Sequence, residues 1–117
     1  MRKPHLTQTQ LDELRGVLES DLRRLERSMR LTDQVLEPAT LDQTAVGRLS
    51  RMDTLQGQAL ARDLQGREQV RLALLQEALR RVAAGTYGWC LACSGPIPFA
   101  RLLVFPESPE CGACPQD

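Results

Sequence analysis

All four cysteines of this chain lie in its last 28 residues, as two Cys-x-x-Cys pairs. Cys90 and Cys93 form the first pair and Cys111 and Cys114 the second, with seventeen residues between the pairs. Two residues between ligands let a tight turn point both sulfurs inward, and two such pairs supply the thiolates of a tetrahedral zinc site. Small residues that permit such turns stand beside the ligands: Gly88, Ser94, Gly95 and Gly112. The spacing therefore predicts one structural Zn²⁺ in a closed site.

Two other chemistries use the same cysteine pattern. A four-thiolate iron centre has the same geometry and would make the chain a rubredoxin-like electron carrier, so it stays open as an alternative. A reactive Cys-x-x-Cys would indicate a thiol oxidoreductase. That class is disfavoured because two neighbouring pairs would compete for one metal, and no alternation of strands and helices surrounds them.

The composition limits the partners of the chain. Its 117 residues carry fifteen Lys and Arg against fifteen Asp and Glu, a formal net charge of zero, so no cationic excess is available to attract a phosphate backbone. Neither a signal peptide nor a run of about 18 apolar residues is apparent. We therefore expect a cytoplasmic protein without direct nucleic-acid binding and without a membrane segment.

The spacing of leucines predicts a first helix from about Thr7 to Leu36, because its apolar residues recur with the helical period. They are Leu11, Leu14, Leu18, Leu22, Leu25 and Met29. Pro38 ends this helix, and Thr40 with Gln43 matches a capping box that starts a second helix. The second helix is expected to reach Ala84, where Gly85 provides a left-handed terminating residue.

Two helices joined by a short turn must lie antiparallel. The sequence therefore predicts a mainly α protein in which a long antiparallel helical hairpin, or coiled coil, is followed by a small four-cysteine zinc module. The hairpin is placed at residues 1–84 with its tip near 37–45, and the zinc module at 85–117. On the second helix two apolar stripes are expected to pack, the first at Ala45, Leu49, Met52, Leu55 and Ala59, the second at Leu72, Leu75, Leu79 and Val82.

Little in the sequence indicates an enzyme. His5 is the only histidine, and it is expected to be exposed in an N-terminal tail rather than to serve as a general base. No phosphate-binding glycine loop or nucleophile elbow occurs. We therefore expect a non-enzymatic protein.

The terminal segment resembles the DksA/TraR family of bacterial RNA polymerase regulators. "YG" stands before the first cysteine in "YGWC", "SGPIPFARL" follows the first pair, "FP" stands before the third cysteine, and "CGAC" closes the segment. The resemblance covers residues 87–114 in sequence and is architectural over the helices. It implies a helical hairpin, a zinc finger with a proline-containing strand before the second pair, and binding to RNA polymerase without contact to DNA. In this family the hairpin tip enters the secondary channel of the polymerase.

The resemblance also suggests which residues act. Family tips carry an Asp-x-x-Asp-x-Ala pattern that does not occur here, and the nearest match is "TLDQTA", so the tip candidates are Asp42, Thr44 and Ala45. Asp42 has an alternative interpretation as a helix-start acid stabilised by the helix dipole. Candidates for docking at the channel rim are basic: Arg67, Arg71 and Arg101.

Two departures from the family pattern concern regulation and length. Members that respond to the alarmone ppGpp carry basic residues where this chain has Phe105 and Pro115, so a direct ppGpp response is not predicted. The chain ends three residues after Cys114, which suggests a short or divergent member. A hypothesis from another class is a zinc-clamped coiled-coil adaptor that binds a different protein, motivated by the missing acidic pattern.

Overall fold

The computed structural model describes residues 5–37 and 48–114, with side chains described for 5–37 and 55–114. The described residues form three helices: α1 at Gln8–Leu36, α2 at Arg48–Ala84 and the short α3 at Phe99–Val104. The described part of the chain contains no strand, only an isolated antiparallel bridge between Trp89 and Pro96. The predicted mainly α fold is confirmed. The strand expected before the second cysteine pair was wrong, because residues 105–110 follow α3 as a series of turns.

A reciprocal capping box starts α1. The Gln10 N–H donates to Thr7 Oγ1 at 3.1 Å, and the Thr7 N–H donates to Gln10 Oε1 at 2.9 Å. These two bonds satisfy backbone donors that have no partner inside the first turn. The box was missed in the sequence although its Thr-x-x-Gln signal was present there.

A Schellman motif ends α2, as the position of Gly85 predicted. Gly85 has a φ of 79°. Its N–H donates to the carbonyl of Val82 at 3.3 Å, and the Thr86 N–H donates to the carbonyl of Arg81 at 2.9 Å. The left-handed glycine closes the last turn and directs the chain towards the first cysteine pair.

The chain divides into two compact units. One contains the residues up to Leu22 together with those from Arg71 onward, and the other is Arg23–Val70. The first unit holds the apolar core, which includes both helices and the cysteine segment. Its fully buried large side chains are Leu14, Leu18, Leu75, Ile97 and Leu102. The predicted stripe on α1 is thus confirmed at Leu14 and Leu18. The second stripe, on α2, is confirmed at Leu75, and its other members, Leu72, Leu79 and Val82, are half-buried.

The second unit shows the antiparallel pairing of α1 and α2. Ser28 Oγ donates to Glu68 Oε2, and Gln65 Nε2 donates to Asp33 Oδ1 at 3.2 Å. The partner number falls on α2 as the number rises on α1, which requires opposite helix directions. This confirms the hairpin.

This second unit buries several polar side chains besides the apolar Leu25. Thr32, Gln58 and Glu68 are buried, whereas Leu55 is 65% exposed and Ala59 is also exposed. The prediction that Leu55 and Ala59 continue an apolar stripe was therefore wrong. Hydrogen-bonded polar side chains occupy the interhelical positions instead, since the Thr32 hydroxyl bonds to the Ser28 carbonyl at 3.0 Å while Ser28 bonds to Glu68.

Several predicted features lie outside the described residues or side chains. They are the Pro38 stop, the Thr40–Gln43 capping box, the tip at Asp42, Thr44 and Ala45, and the stripe positions Leu49 and Met52. The division of the chain into a hairpin at residues 1–84 and a zinc module at 85–117 stays a prediction. None of the described helices has a stretch apolar enough, over the length required, to cross a bilayer.

Candidate metal centre

The four cysteine sulfurs converge at one point of the first unit. The Sγ atoms of Cys90, Cys93, Cys111 and Cys114 all lie within 4.8 Å of one another. The separation is 3.6 Å between Cys90 and Cys114, 3.6 Å between Cys93 and Cys111, and 3.7 Å between Cys111 and Cys114. All four cysteines are free thiols.

These separations fit a tetrahedral metal site. With Zn–S bonds of about 2.3 Å, the edges of a regular ZnS₄ tetrahedron are about 3.8 Å, close to the spacing here. A disulfide would instead need two sulfurs at about 2.05 Å. The residues present can therefore hold one Zn²⁺, although the same donor set also accepts iron.

The first cysteine turn is fixed by a small backbone network. The Cys90 N–H donates to the carbonyl of Gly95 at 2.8 Å, and the Ser94 N–H donates to the carbonyl of Cys90 at 2.9 Å. Ser94 has a φ of 63°. The Ile97 N–H closes the network on the carbonyl of Gly88 at 2.8 Å. Because Ile97 is 1% exposed, the turn is tied directly to the apolar core.

Backbone N–H groups also point at the sulfurs. The Cys93 N–H lies 3.4 Å from Cys90 Sγ, and the Ala113 N–H lies 3.4 Å from Cys111 Sγ. The hydrogen bond from the Cys93 backbone lowers the pKa of Cys90 to about 6. Hydrogen bonding with the Cys90 sulfur, followed by that with Cys111, raises the pKa of Cys114 to about 12. Cys90 therefore loses its proton readily and becomes a thiolate. Four adjacent thiolates repel one another and require a cation to neutralise them.

A buried tyrosine joins the cysteine segment to the turn after α3. Tyr87 is 5% exposed, and its hydroxyl donates to the carbonyl of Pro106 at 2.8 Å. Desolvation raises the pKa of this phenol well above its ordinary value, against a smaller lowering by the Arg81 charge. The hydroxyl is therefore held as a neutral donor.

An ion-pair network fastens the same turn to the two long helices. Arg71 Nε donates to Glu107 Oε2 at 2.7 Å, and Arg71 Nη2 lies 3.5 Å from Asp21 Oδ2. The Glu107 side chain is only 6% exposed. Burial makes this carboxylate dependent on its arginine, because an unpaired buried charge is costly.

His5 is exposed, as the sequence predicted, but it also makes contacts that the sequence did not predict. The residue is exposed, yet its Nε2–H donates to the carbonyl of Gly88 at 2.7 Å and its ring meets the Trp89 ring edge-on at 5.1 Å. Its neighbour Leu6 is buried at 6% exposure. Gly88, with a φ of 96°, leaves the space for this contact, since an added Cβ would lie 3.0 Å from Leu6 Cδ1.

The three rim candidates have different surroundings. Arg67 is exposed and belongs to the unit Arg23–Val70. Arg71 is paired with Glu107 and Asp21, and Arg101 bonds to the carbonyl of Glu110 at 3.2 Å. Two of the three arginines thus have partners within the first unit.

The chain is similar to known proteins in sequence and in structure. No family model matches the chain. A protein of Aquifex aeolicus described as uncharacterized is 30% identical over 110 residues, which make up 92% of this chain and 69% of that protein. The structure of transcription factor DksA2 from Pseudomonas aeruginosa is similar with a TM-score of 0.77 and 26% identity, over 92% of this chain and 81% of that one.

Proposed function

Because this chain belongs to the DksA/TraR family, we propose that it is a cytoplasmic transcription regulator that binds bacterial RNA polymerase through the secondary channel, without contacting DNA. The observation that carries the proposal is the combination of a DksA2-like fold, at a TM-score of 0.77, with four cysteines gathered at one point. The role is non-enzymatic, since a four-thiolate site has no open coordination position for a substrate.

Zinc is the proposed metal, held by Cys90, Cys93, Cys111 and Cys114. When bound, Zn²⁺ supplies folding free energy to a segment that has a small core of its own. Elemental analysis should find one zinc per chain, and the absorption spectrum should lack the visible bands of a rubredoxin-like iron centre. Cys93→Ser should release the metal and reduce the stability of the segment around Trp89, the only tryptophan, whose fluorescence reports on it. A metal-free native protein would refute the zinc assignment.

The hairpin tip is proposed to act on the polymerase active centre. Asp42 is the candidate acidic residue, with Thr44 and Ala45 beside it. We expect Asp42→Asn to weaken the effect on transcription more than the affinity for polymerase, because the tip acts after docking. Asp63→Asn, on the exposed surface of α2, is the matched control and should change neither quantity. Equal loss of binding and effect in Asp42→Asn would contradict the assignment.

Docking at the channel rim is proposed to involve the exposed Arg67, together with Arg71 and Arg101 where their internal partners leave them accessible. The Arg71 side chain is 48% exposed in spite of its ion pairs, so part of it is accessible to a partner. A direct ppGpp response is not part of the proposal, because Phe105 and Pro115 replace the basic residues expected for it.

A polymerase-binding experiment tests the proposal as a whole. The purified chain should bind RNA polymerase, compete with other factors that occupy the secondary channel, and change the lifetime of promoter complexes. Neither binding to polymerase nor an effect at any sensitive promoter would refute it.

A second candidate, a zinc-clamped coiled-coil adaptor for another protein, is favoured by large aliphatic side chains that the hairpin exposes. Leu31 is 64% exposed, Leu60 70% and Leu64 47%. Exposed apolar side chains of this size often mark a protein contact. Under this alternative, affinity capture from a lysate would recover a partner while polymerase subunits would be absent.

A further inference from the structure

Arg101 is held on a rigid support beside the second cysteine turn. Its N–H donates to the carbonyl of Pro98 at 3.1 Å, and its own carbonyl accepts from the Phe105 N–H at 2.8 Å. The next residue along α3, Leu102, is 0% exposed. The backbone of Arg101 is therefore fixed by the core of the first unit, and its side chain extends from a defined point.

The guanidinium of Arg101 contacts the second cysteine turn at two places. Nε donates to the carbonyl of Glu110, the residue before Cys111, at 3.2 Å. A Cβ on Gly112 would lie 2.9 Å from Arg101 Cζ, 2.9 Å from Nη1 and 3.0 Å from Nη2. Three nearly equal distances mean that the guanidinium plane lies flat over the bare face of Gly112. This glycine has a φ of 72°, a conformation that suits glycine.

The two cysteine turns differ in how they are held. The first is closed by backbone hydrogen bonds from Cys90, Ser94 and Ile97. Within residues 111–114, as far as the structure describes the chain, no backbone–backbone hydrogen bond forms, and the contacts inside the turn are those of the Ala113 N–H with Cys111 Sγ and of Cys111 Sγ with Cys114 Sγ. The second turn therefore depends on an outside support for its shape.

We propose that Arg101 is a positioning residue of the four-cysteine site, whose guanidinium holds the second turn so that Cys111 and Cys114 face the metal. The inference rests on the proposed zinc site and gives Arg101 a role in addition to rim docking. A planar fork suits the task, because it can bond at its Nε while its flat face covers a glycine. Its positive charge also offsets part of the net negative charge that four thiolates leave around a divalent ion.

Zinc affinity measured by competition with a chromophoric chelator tests this role. We expect Arg101→Ala to weaken zinc binding about 10- to 100-fold, the range typical of residues that support metal ligands. Arg101→Lys keeps the positive charge but loses the planar contact, so its zinc affinity should be nearly as low as that of Arg101→Ala. Arg24→Ala, an exposed arginine on α1, is the matched control and should bind zinc like the wild type. The sulfur-to-cobalt charge-transfer bands of the Co²⁺ form should change in Arg101→Ala and not in Arg24→Ala.

A second pair of variants tests the contact itself, and covers the case in which Arg101→Ala fails to fold. Gly112→Ala should weaken zinc binding, because its methyl group would collide with the guanidinium and its φ is positive. In the double variant that also carries Arg101→Ala, the combined loss of zinc affinity should be smaller than the product of the two single losses, because both single changes break the same contact. Gly85→Ala shares the positive φ, at 79°, but meets nothing within 4 Å, so it should leave zinc affinity unchanged.

The outcomes separate this inference from the proposed function. Wild-type protein that binds zinc, with Arg101→Ala within twofold of it and with an unchanged cobalt spectrum, would overturn the role of Arg101 alone. Fully multiplicative losses in the double variant would do the same. Wild-type protein that binds no metal would overturn both the role of Arg101 and the zinc site.

Discussion

Replacing Tyr87 with phenylalanine should destabilise the protein at neutral pH and stabilise it, relative to wild type, in strong alkali. The Tyr87 hydroxyl is buried and donates to the carbonyl of Pro106 at 2.8 Å. Its removal leaves a buried carbonyl without that donor, which costs about 1 to 2 kcal/mol of unfolding free energy. At pH 8 the variant should be less stable by this amount.

The alkaline effect follows from the raised pKa of the phenol. Burial raises the pKa of Tyr87 in the folded protein well above the ordinary value of 10.0. The contribution of the neutral phenol is therefore fully present below pH 10, and it is lost as the pH rises from there towards the folded pKa, because only the unfolded chain ionises. The loss is about 1.4 kcal/mol per pH unit. The difference in unfolding free energy between wild type and Tyr87→Phe should therefore fall to zero near pH 11 and change sign above it.

Guanidinium unfolding of the zinc-saturated wild type and Tyr87→Phe, followed by Trp89 fluorescence at pH 8, 9, 10, 11 and 11.5, measures the difference directly. Tyr87 is the only tyrosine, so no second phenol contributes to the pH dependence of the difference. A difference in unfolding free energy that stays constant from pH 8 to pH 11.5 would refute the reasoning.

Two further predictions concern contacts in different units. His5→Ala removes the hydrogen bond to the Gly88 carbonyl, so we expect a loss of about 1 kcal/mol and an altered emission of Trp89, whereas Gln8→Ala on the exposed start of α1 should leave that emission unchanged. Ser28→Ala combined with Glu68→Leu replaces the half-buried Ser28 and the buried Glu68 by apolar side chains, and thermal unfolding should show equal or higher stability. Ser28→Ala alone should be destabilising, because it removes the donor to the buried carboxylate. A double variant less stable than the single one would contradict this.

Local signals predicted much of the fold and of the metal site. The leucine period gave the extent of α1, the glycine at position 85 gave the end of α2, and the spacing of the cysteines predicted their convergence. Each of these signals lies within a few turns of the feature that it specifies. Signals of this kind can be read from the sequence without knowing which distant residues come into contact.

The features that could not be predicted depend on residues far apart in the sequence. His5 and Gly88 are 83 positions apart, and Ser28 and Glu68 are 40 apart. No periodic pattern in the sequence predicts such pairs, because each residue of a pair, taken alone, has the character of an ordinary surface residue. The assumption that apolar residues form every interhelical seam therefore failed at Leu55.

The two left-handed glycines of the cysteine segment suggest how the metal site acquires its shape. Gly88 makes room for Leu6 and His5, and Gly112 makes room for Arg101. In both cases the missing Cβ admits a side chain from outside the turn, so the position of each cysteine turn is set by packing in the first unit. A site whose turns are already supported loses less conformational entropy when a metal binds, which strengthens binding without any new ligand. The free energy of zinc binding should therefore depend on these supporting contacts as well as on the four sulfurs.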